Sequence, residues 1–326
     1  MNDMILYILK RILLMLLTFV IIFTICFVLI KALDNSREDA MYADQAAVEE
    51  ARREALGYNK PILEQLRIYA KNIITKWDWG TSWKIDRLST VNDVIFSRLL
   101  PTVLVNTYSL IFSVPIGILI GIYSALKKNK WQDYTLSTLT MVFYSVPSYV
   151  YAFIVQYFIA YKLGLLPIIQ ASLREAGGSY FTWIMFRSQI LPVLALSFGS
   201  IAGLTRFTRA ELTETLTSDY MLLARTKGLS KSQATRRHAL RNAMVPILPA
   251  IIGSFVGVLG GSIIIEQIFA IPGIGPIYVK AISLLDYDVF MAVGMFYTFI
   301  GLAASILIDL SYGFIDPRIR MGAKKQ

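Results

Sequence analysis

The side chains with the most chemistry to offer lie in one block, "DYMLLARTKGLSKSQATRRHALRNAMVPILPA", Asp219 to Ala250. Around it, from Arg206 to Arg241, eight Lys/Arg stand against three Asp/Glu, between two apolar segments. A simple connection needs about five residues. A block of this length and charge is suited to being read by something at a membrane surface. Catalytic motifs are absent from the sequence. It has no G-x-x-x-x-G-K-[ST] phosphate loop, so any ATP would be hydrolysed by another chain. It has no G-x-S-x-G elbow and no H-E-x-x-H zinc helix. "GGSIII" and "PGIGP" are glycine-rich but lack the strand–turn–helix context of a nucleotide fingerprint. One cysteine, Cys26, and one histidine, His238, leave no internal disulfide and argue against a His-built metal site. The expectation is a non-enzymatic chain that binds no cofactor or metal of its own.

Local patterns give the block a shape. Asp219 reads as an N-cap, and Tyr220–Lys227 then makes about two turns, roughly 12 Å. Gly228 can take the left-handed conformation that ends such a helix, and Arg225 and Lys227 complement its negative end. Ser230 with Gln233 three residues on has capping-box spacing. That second helix would run to about Val245, before Pro246. The product is helix, glycine elbow, helix, with Tyr220, Leu223, Ala224 and Lys227 on one face of the short member. Such a unit fits a partner's groove; a topogenic loop with a chance glycine is the plainer alternative.

The elements that must position this block are membrane helices. Of 326 residues, 56% are hydrophobic, mean hydropathy is +0.56, and several apolar runs reach the roughly 20 residues a spanning helix needs. The expected class is an all-α polytopic membrane protein with six spans, about 9–31, 101–126, 134–161, 189–209, 246–268 and 288–313. "ILLMLLTFVIIFTICFVLI" is too long for the apolar core of a cleavable signal and reads as a retained first helix. The net charge of +10 lies mostly in loops, where it sets topology rather than marking a nucleic-acid partner. Lys10 and Arg11, "KKNKWQD" at 127–133, the 206–241 block and the basic tail "DPRIRMGAKKQ" fall on one side if there are six spans. Both termini are then cytoplasmic.

Residues 34–98 fall outside, with ten Lys/Arg and eleven Asp/Glu. "EDAMYADQAAVEEARREALG" reads as a helix ending at Gly57. "KPILEQLRIYAKNIITKW" reads as another, with Pro61 near its first turn and an apolar stripe of Ile62, Leu66, Tyr69 and Ile73. The expected organisation is an N-terminal span (1–33), an external helical insert (34–98) and a five-helix core (99–326) holding a cytoplasmic loop at about 206–245.

The block also resembles the cytoplasmic "EAA" loop of ABC importer permeases. The leading Glu-Ala-Ala of that motif is Leu222-Leu223-Ala224 here. The run Ala224-Arg225-Thr226-Lys227-Gly228-Leu229-Ser230 is similar to the "A-R-A-K-G-L-S" of the peptide and nickel branch. Further ordered landmarks look like that branch: "EALGYNKPILEQ", "WDWGTS", "RLLPTVLVN", "EQIFAIPGIG" and "DPRIR". The resemblance implies a type I importer permease fold and the "B" type subunit with an external insert. Its partners would be a "C" type permease, two cytoplasmic ATPases carrying ATP and Mg, and an external binding protein delivering a di- or oligopeptide. It makes Asp219–Ser230 the coupling segment. ATP binding would drag it and rock the bundle from inward- to outward-facing.

Two further sets of candidates follow. Glu266–Gly275, with Glu266, Phe269, Pro272, Gly273 and Gly275, would form an external lip touching the binding protein; an interfacial acid at a span's end is the alternative. Asn106, Tyr144, Ser145, Gln156, Ser197, Ser254 and Ser262 are polar groups within spans that could line a substrate path, or simply bond their own helices. Asp309 could pair with Arg318 or Arg320. Nickel chelates, glutathione or another small solute would suit the same architecture. A secondary transporter would show inverted repeats and a midplane acid, and a voltage-sensing channel would show regularly spaced arginines. Neither pattern is evident.

Overall fold

The computed structural model describes residues 2–33, 50–51, 54, 57, 59–257 and 263–315. Ser262, the "DPRIR" ending with Arg318 and Arg320, and most of the helix expected before Gly57 lie outside them. The described regular structure is helical, apart from one bridge joining Thr81 to Thr90. In chain order the helices are α1 (Asn2–Leu33), α2 (Ile62–Lys76), α3 (Val91–Leu126), α4 (Trp131–Ser145) and α5 (Ser148–Val155), which widens into a π-type segment, Gln156–Lys162. They continue with α6 (Trp183–Leu216), α7 (Asp219–Thr226), α8 (Lys231–Ala234), a second π-type segment (Thr235–Ala239), α9 (Leu240–Gly257), α10 (Ile263–Ile268), α11 (Ile274–Leu284) and α12 (Tyr287–Ile315).

Four stretches are long and apolar enough to cross a membrane: Leu6–Lys31, Val91–Leu126, Trp183–Leu216 and Tyr287–Ser311. The third expected span is not one rod. Helices α4 and α5 meet at an angle of 98°. The cause is Pro147, which forces Val146 into an extended conformation (φ −87°, ψ 127°) and cannot continue the hydrogen-bond ladder. The second helix of the basic block departs from expectation in the opposite way. It does not stop before Pro246 but continues through Pro246 and Pro249 to Gly257. Buried Ala239, Ala243 and Ile247 form a stripe at four-residue spacing, and that packing outweighs the hydrogen bond lost at Pro246.

The bundle is built on α3 against α6. Gly117 and Gly121 make their approach possible: a Cβ at Gly117 would sit 2.7 Å from the Leu204 side chain, and one at Gly121 would sit 2.6 Å from Thr208. Small residues four apart let two backbones meet in this way. Thr205 then donates from Oγ1 to the Gly117 carbonyl at 3.2 Å. Helix α1 runs beside α12, and Arg11 pairs with Asp309 at 3.0 Å. The ion pair expected of Asp309 therefore comes from the first helix.

The described part of the insert is tied to this frame. Helix α2 starts after Pro61, as expected, and lays Leu66, Tyr69 and Ile73 on α1, whereas Ile62 at its first position is exposed. The Tyr69 ring sits 5.9 Å from Phe23 and 5.3 Å from Phe27, and its hydroxyl donates to the Trp79 carbonyl at 3.1 Å. Burial, with Asp288 and Asp78 nearby, raises the Tyr69 phenol well above its ordinary pKa, so it stays a donor.

Candidate functional site

The elbow forms as its residues dictate, with two corrections. Helix α7 begins at Asp219, but its N-cap is Ser218, where the backbone is extended (φ −75°, ψ 155°). Asp219 is instead an acid in the first turn, favourable to the helix dipole. Gly228 takes φ +90°. Its N–H donates to the Arg225 carbonyl at 3.0 Å and that of Leu229 reaches the Ala224 carbonyl at 3.3 Å, closing the helix through a left-handed residue. The Ser230 hydroxyl accepts from the Gln233 N–H at 3.2 Å while the Gln233 side chain accepts from the Ser230 N–H at 3.0 Å, so the capping box is complete.

The second correction concerns the face. Ala224 does not share an outer surface with Tyr220, Leu223 and Lys227; it turns inward with Met221. They pack with Ala125 of α3, Leu212 of α6, Ala234, Ala239, Ala243 and Ile247. The apolar cluster therefore links the elbow to α3, α6 and α9. What α7 presents outward is Tyr220, Leu222 and Leu223, the last two 65% and 55% exposed, flanked by exposed Arg225, Thr226, Lys227 and Ser230. Large aliphatic groups facing solvent beside cations on a two-turn helix form a surface suited to another protein.

Next to this cluster lies a polar tie that the sequence reading missed. Asp133, 1% exposed, receives Arg209 through two nitrogens at 2.5 and 2.7 Å. Its oxygens also accept from the Ser124 hydroxyl at 2.5 Å and the Asn129 N–H at 3.0 Å. One carboxylate thus fastens the end of α3, the following loop, the start of α4 and α6. An acid inside a lysine-rich connection, with an arginine about three helical turns beyond the middle of a span, carries no local signature of pairing.

Between α3, α4, α6 and α9 lies a cavity of about 520 Å³. Three of the expected path residues line it, Asn106, Tyr144 and Ser254, together with Ser109 and Ser200. Of the others, Ser262 lies outside the described residues and three are elsewhere. Ser145 donates to the Met141 carbonyl at 2.8 Å, and Ser197 is buried against Ser109, hydroxyl to hydroxyl at 3.1 Å. Gln156 donates to the Ile168 carbonyl at 2.9 Å, away from the cavity.

Opposite the elbow, Glu266–Gly275 folds as a tight corner. Glu266, Phe269, Gly273 and Gly275 are buried and Pro272 is exposed. A Glu266 oxygen accepts from the Gly275 N–H at 2.9 Å, and Thr102 of α3 accepts from the Ile274 N–H at 2.9 Å. Phe269 packs with Val105, Tyr151 and Leu191, and its carbonyl accepts from the Gln170 N–H at 2.8 Å. The corner's outward surface is Gln267, Ala270 and Pro272. A Cβ at Gly273 would run into both Glu266 and Thr102. Gly273→Ala is therefore expected to cost roughly 1–3 kcal/mol, read as a lowered unfolding temperature in detergent, whereas Ala270→Ser on the surface leaves it unchanged.

A second carboxylate anchor went unnoticed in the sequence. The strap after α2 runs over Asp286, which is fully buried. Asp286 accepts from the Ser82 hydroxyl at 2.7 Å and from the N–H groups of Trp83 (3.2 Å), Lys84 (3.0 Å) and Ile85 (3.0 Å). Asp288 accepts from the Thr81 N–H at 3.1 Å. The strap also carries Asp86, which pairs with Arg98 of α3 at 2.9 Å.

The geometry thus combines an elbow with an exposed apolar face, a lined cavity and a tight corner at the other end of α3. Residues 117–321 match the family described as binding-protein-dependent transport system inner membrane component. The chain is 36% identical over 320 residues to the dipeptide transport system permease protein DppB of Lactococcus lactis subsp. cremoris (strain MG1363), covering 98% of this chain and 100% of that one. It is 33% identical to the protein of the same description from Bacillus subtilis (strain 168), covering 98% and 99%. It is 33% identical to the glutathione transport system permease protein GsiC of Pectobacterium atrosepticum, covering 96% and 98%. A solved structure titled as an amino acid ABC transporter with histidines has a similar fold, with TM-score 0.50 and 19% identity over 68% of this chain and 94% of that one.

Proposed function

The chain belongs to the family of binding-protein-dependent transport system inner membrane components, and on that premise we propose that it is the "B" type permease subunit of an ATP-driven importer of di- and oligopeptides. It is a multi-pass protein of the bacterial membrane. The bent pair and α9–α10 each serve as a span in this reading, giving six, with both termini in the cytoplasm and residues 34–98 outside. A "C" type permease completes the path, an external binding protein delivers the peptide, and two cytoplasmic ATPases bind ATP and Mg. This subunit contributes no ATPase site and no cofactor.

The observation that carries the reading is the elbow: an exposed apolar face on α7 whose inner face is continuous with α3, α6 and α9. A partner that grips Tyr220, Leu222 and Leu223 moves Met221 and Ala224 with them, and through these the walls of the cavity. Nucleotide can drive such a change only by favouring one of the two arrangements. At the far corner, exposed Pro272 and its neighbours would meet the binding protein, with Glu266, Phe269, Gly273 and Gly275 holding them in place.

The test is co-purification from solubilised membranes, comparing wild type with Leu223→Asp. Leu223 is exposed, so the substitution spares the fold. The expected result is that both retain the second permease, while the variant loses most of the ATPases and at least tenfold of ATP-driven dipeptide uptake. A wild type that purifies alone and transports without ATP overturns the reading. The GsiC relatives favour a second cargo, glutathione, which the same uptake assay separates.

A further inference from the structure

Arg206 was grouped by sequence with the basic block, yet it stands apart in the structure. It lies in α6, seven residues after Gly199 and three after Gly203, both of which line the cavity. Residues at that spacing share one helix face. Its guanidinium carbon is 4.7 Å from the centre of the Tyr144 ring, and Tyr144 also lines the cavity. A Cβ at Gly203 would be 3.5 Å from that ring, so the ring lies close against α6 there.

Other arginines of the chain are accounted for differently. Arg209 is held by Asp133, and Arg11 and Arg98 by Asp309 and Asp86. Among the described residues no carboxylate is paired with Arg206, whose side chain is exposed in the isolated chain. An unpaired guanidinium stacked on an aromatic ring keeps its five donors available in a fixed fork, the geometry that suits a carboxylate. A topogenic arginine needs no such seat.

We propose that Arg206, seated on Tyr144, is an anion subsite at the edge of this cavity that takes the free carboxylate of a passing peptide, with Asn106, Ser200 and Ser254 offering hydrogen bonds to its remaining polar groups. The inference rests on the peptide reading above. It makes Arg206 a specificity residue: a peptide whose carboxylate is capped as an amide loses the charge-assisted bond while keeping its shape.

The experiment uses the assembled importer in lipid nanodiscs, without nucleotide or binding protein, and measures equilibrium binding of dialanine and of dialanine amide. Wild type is expected to bind the acid more tightly than the amide. Arg206→Gln is expected to weaken the acid about tenfold, the scale of one hydrogen bond to a charged group, and to leave the amide within about twofold. Arg206→Lys, which retains charge but not the fork, is expected to fall between. An equal loss for acid and amide, as a lipid phosphate on Arg206 would produce, overturns the proposal. So does equal binding by wild type and Arg206→Gln, or no binding of the acid to wild type. The peptide reading is judged separately, by ATP-driven dipeptide uptake of the wild type; uptake without an Arg206 effect sinks only the subsite.

Discussion

Replacing Asp286 by alanine is expected to free the strap over residues 81–85 from the bundle and to abolish ATP-driven uptake. Four donors converge on this buried carboxylate, three of them main-chain N–H groups that cannot turn elsewhere without moving the backbone. Lys84 is exposed and water can satisfy it, but Ser82 is buried and Trp83 and Ile85 are half-buried. Each donor left buried without its acceptor costs about 1–3 kcal/mol, and Ser82, Trp83 and Ile85 are left so together. That is a large share of the roughly 5–15 kcal/mol that holds an ordinary domain folded. The effect concentrates where the bonds are, so hydrogen exchange at residues 82–85 is expected to accelerate before the bundle itself opens. Asp286→Asn keeps the shape and one acceptor oxygen, and an intermediate effect is expected. Unchanged protection of the strap in Asp286→Ala would show that the bonds are incidental.

The second large effect is expected at the other end of the bundle. Asp133→Ala strands a half-buried guanidinium and the Ser124 hydroxyl, at a cost of about 3–5 kcal/mol. Arg209→Ala leaves a carboxylate that is 1% exposed but still held by Ser124 and Asn129. The two losses should not add, because each single change removes the same pair; a double variant no worse than Asp133→Ala is the expected outcome. Thermal unfolding in detergent measures this. The tie stands beside the elbow's apolar cluster. The surviving protein is therefore also expected to hydrolyse more ATP per peptide moved, since α4 no longer follows α6. Additive losses, or an unchanged ratio of hydrolysis to uptake, would remove the tie from the transmission.

How much of this was legible in the sequence depends on whether the signal is local. The Ser230–Gln233 capping box, the left-handed Gly228 and the start of α2 after Pro61 depend on a few neighbouring residues, and they stand where the sequence puts them. The inward turn of Ala224 depends on α3 and α6, so a helical wheel alone could not assign its face. Pro147 lies inside an expected span and bends it through the extended Val146, but the size of that bend, 98°, is not specified by any local pattern. Glu266 read as part of an external lip, with an interfacial acid as the alternative, because nothing nearby announces that it is buried and accepts from Gly275 beneath that surface. Asp286 is about two hundred positions from the strap it anchors, a separation no periodicity can bridge. Of the expected path residues, Asn106, Tyr144 and Ser254 line the cavity and Ser145 does not, although Asn106, Ser254 and Ser145 all bond their own helix turn, so a residue's local bonding pattern could not tell them apart.

Helix α6, 34 residues long, is a rod of about 51 Å, against a hydrocarbon layer of about 30 Å. It carries the cavity wall near its middle and the elbow's cluster at one end, with no proline between Pro192 and Leu216. A stiff beam of that kind behaves as a geared arm: travel imposed at its tip reaches the cavity reduced in size but increased in force. A large excursion of the ATPases would then reshape a peptide-sized space by only a few ångströms, enough to release cargo while too little to open a leak.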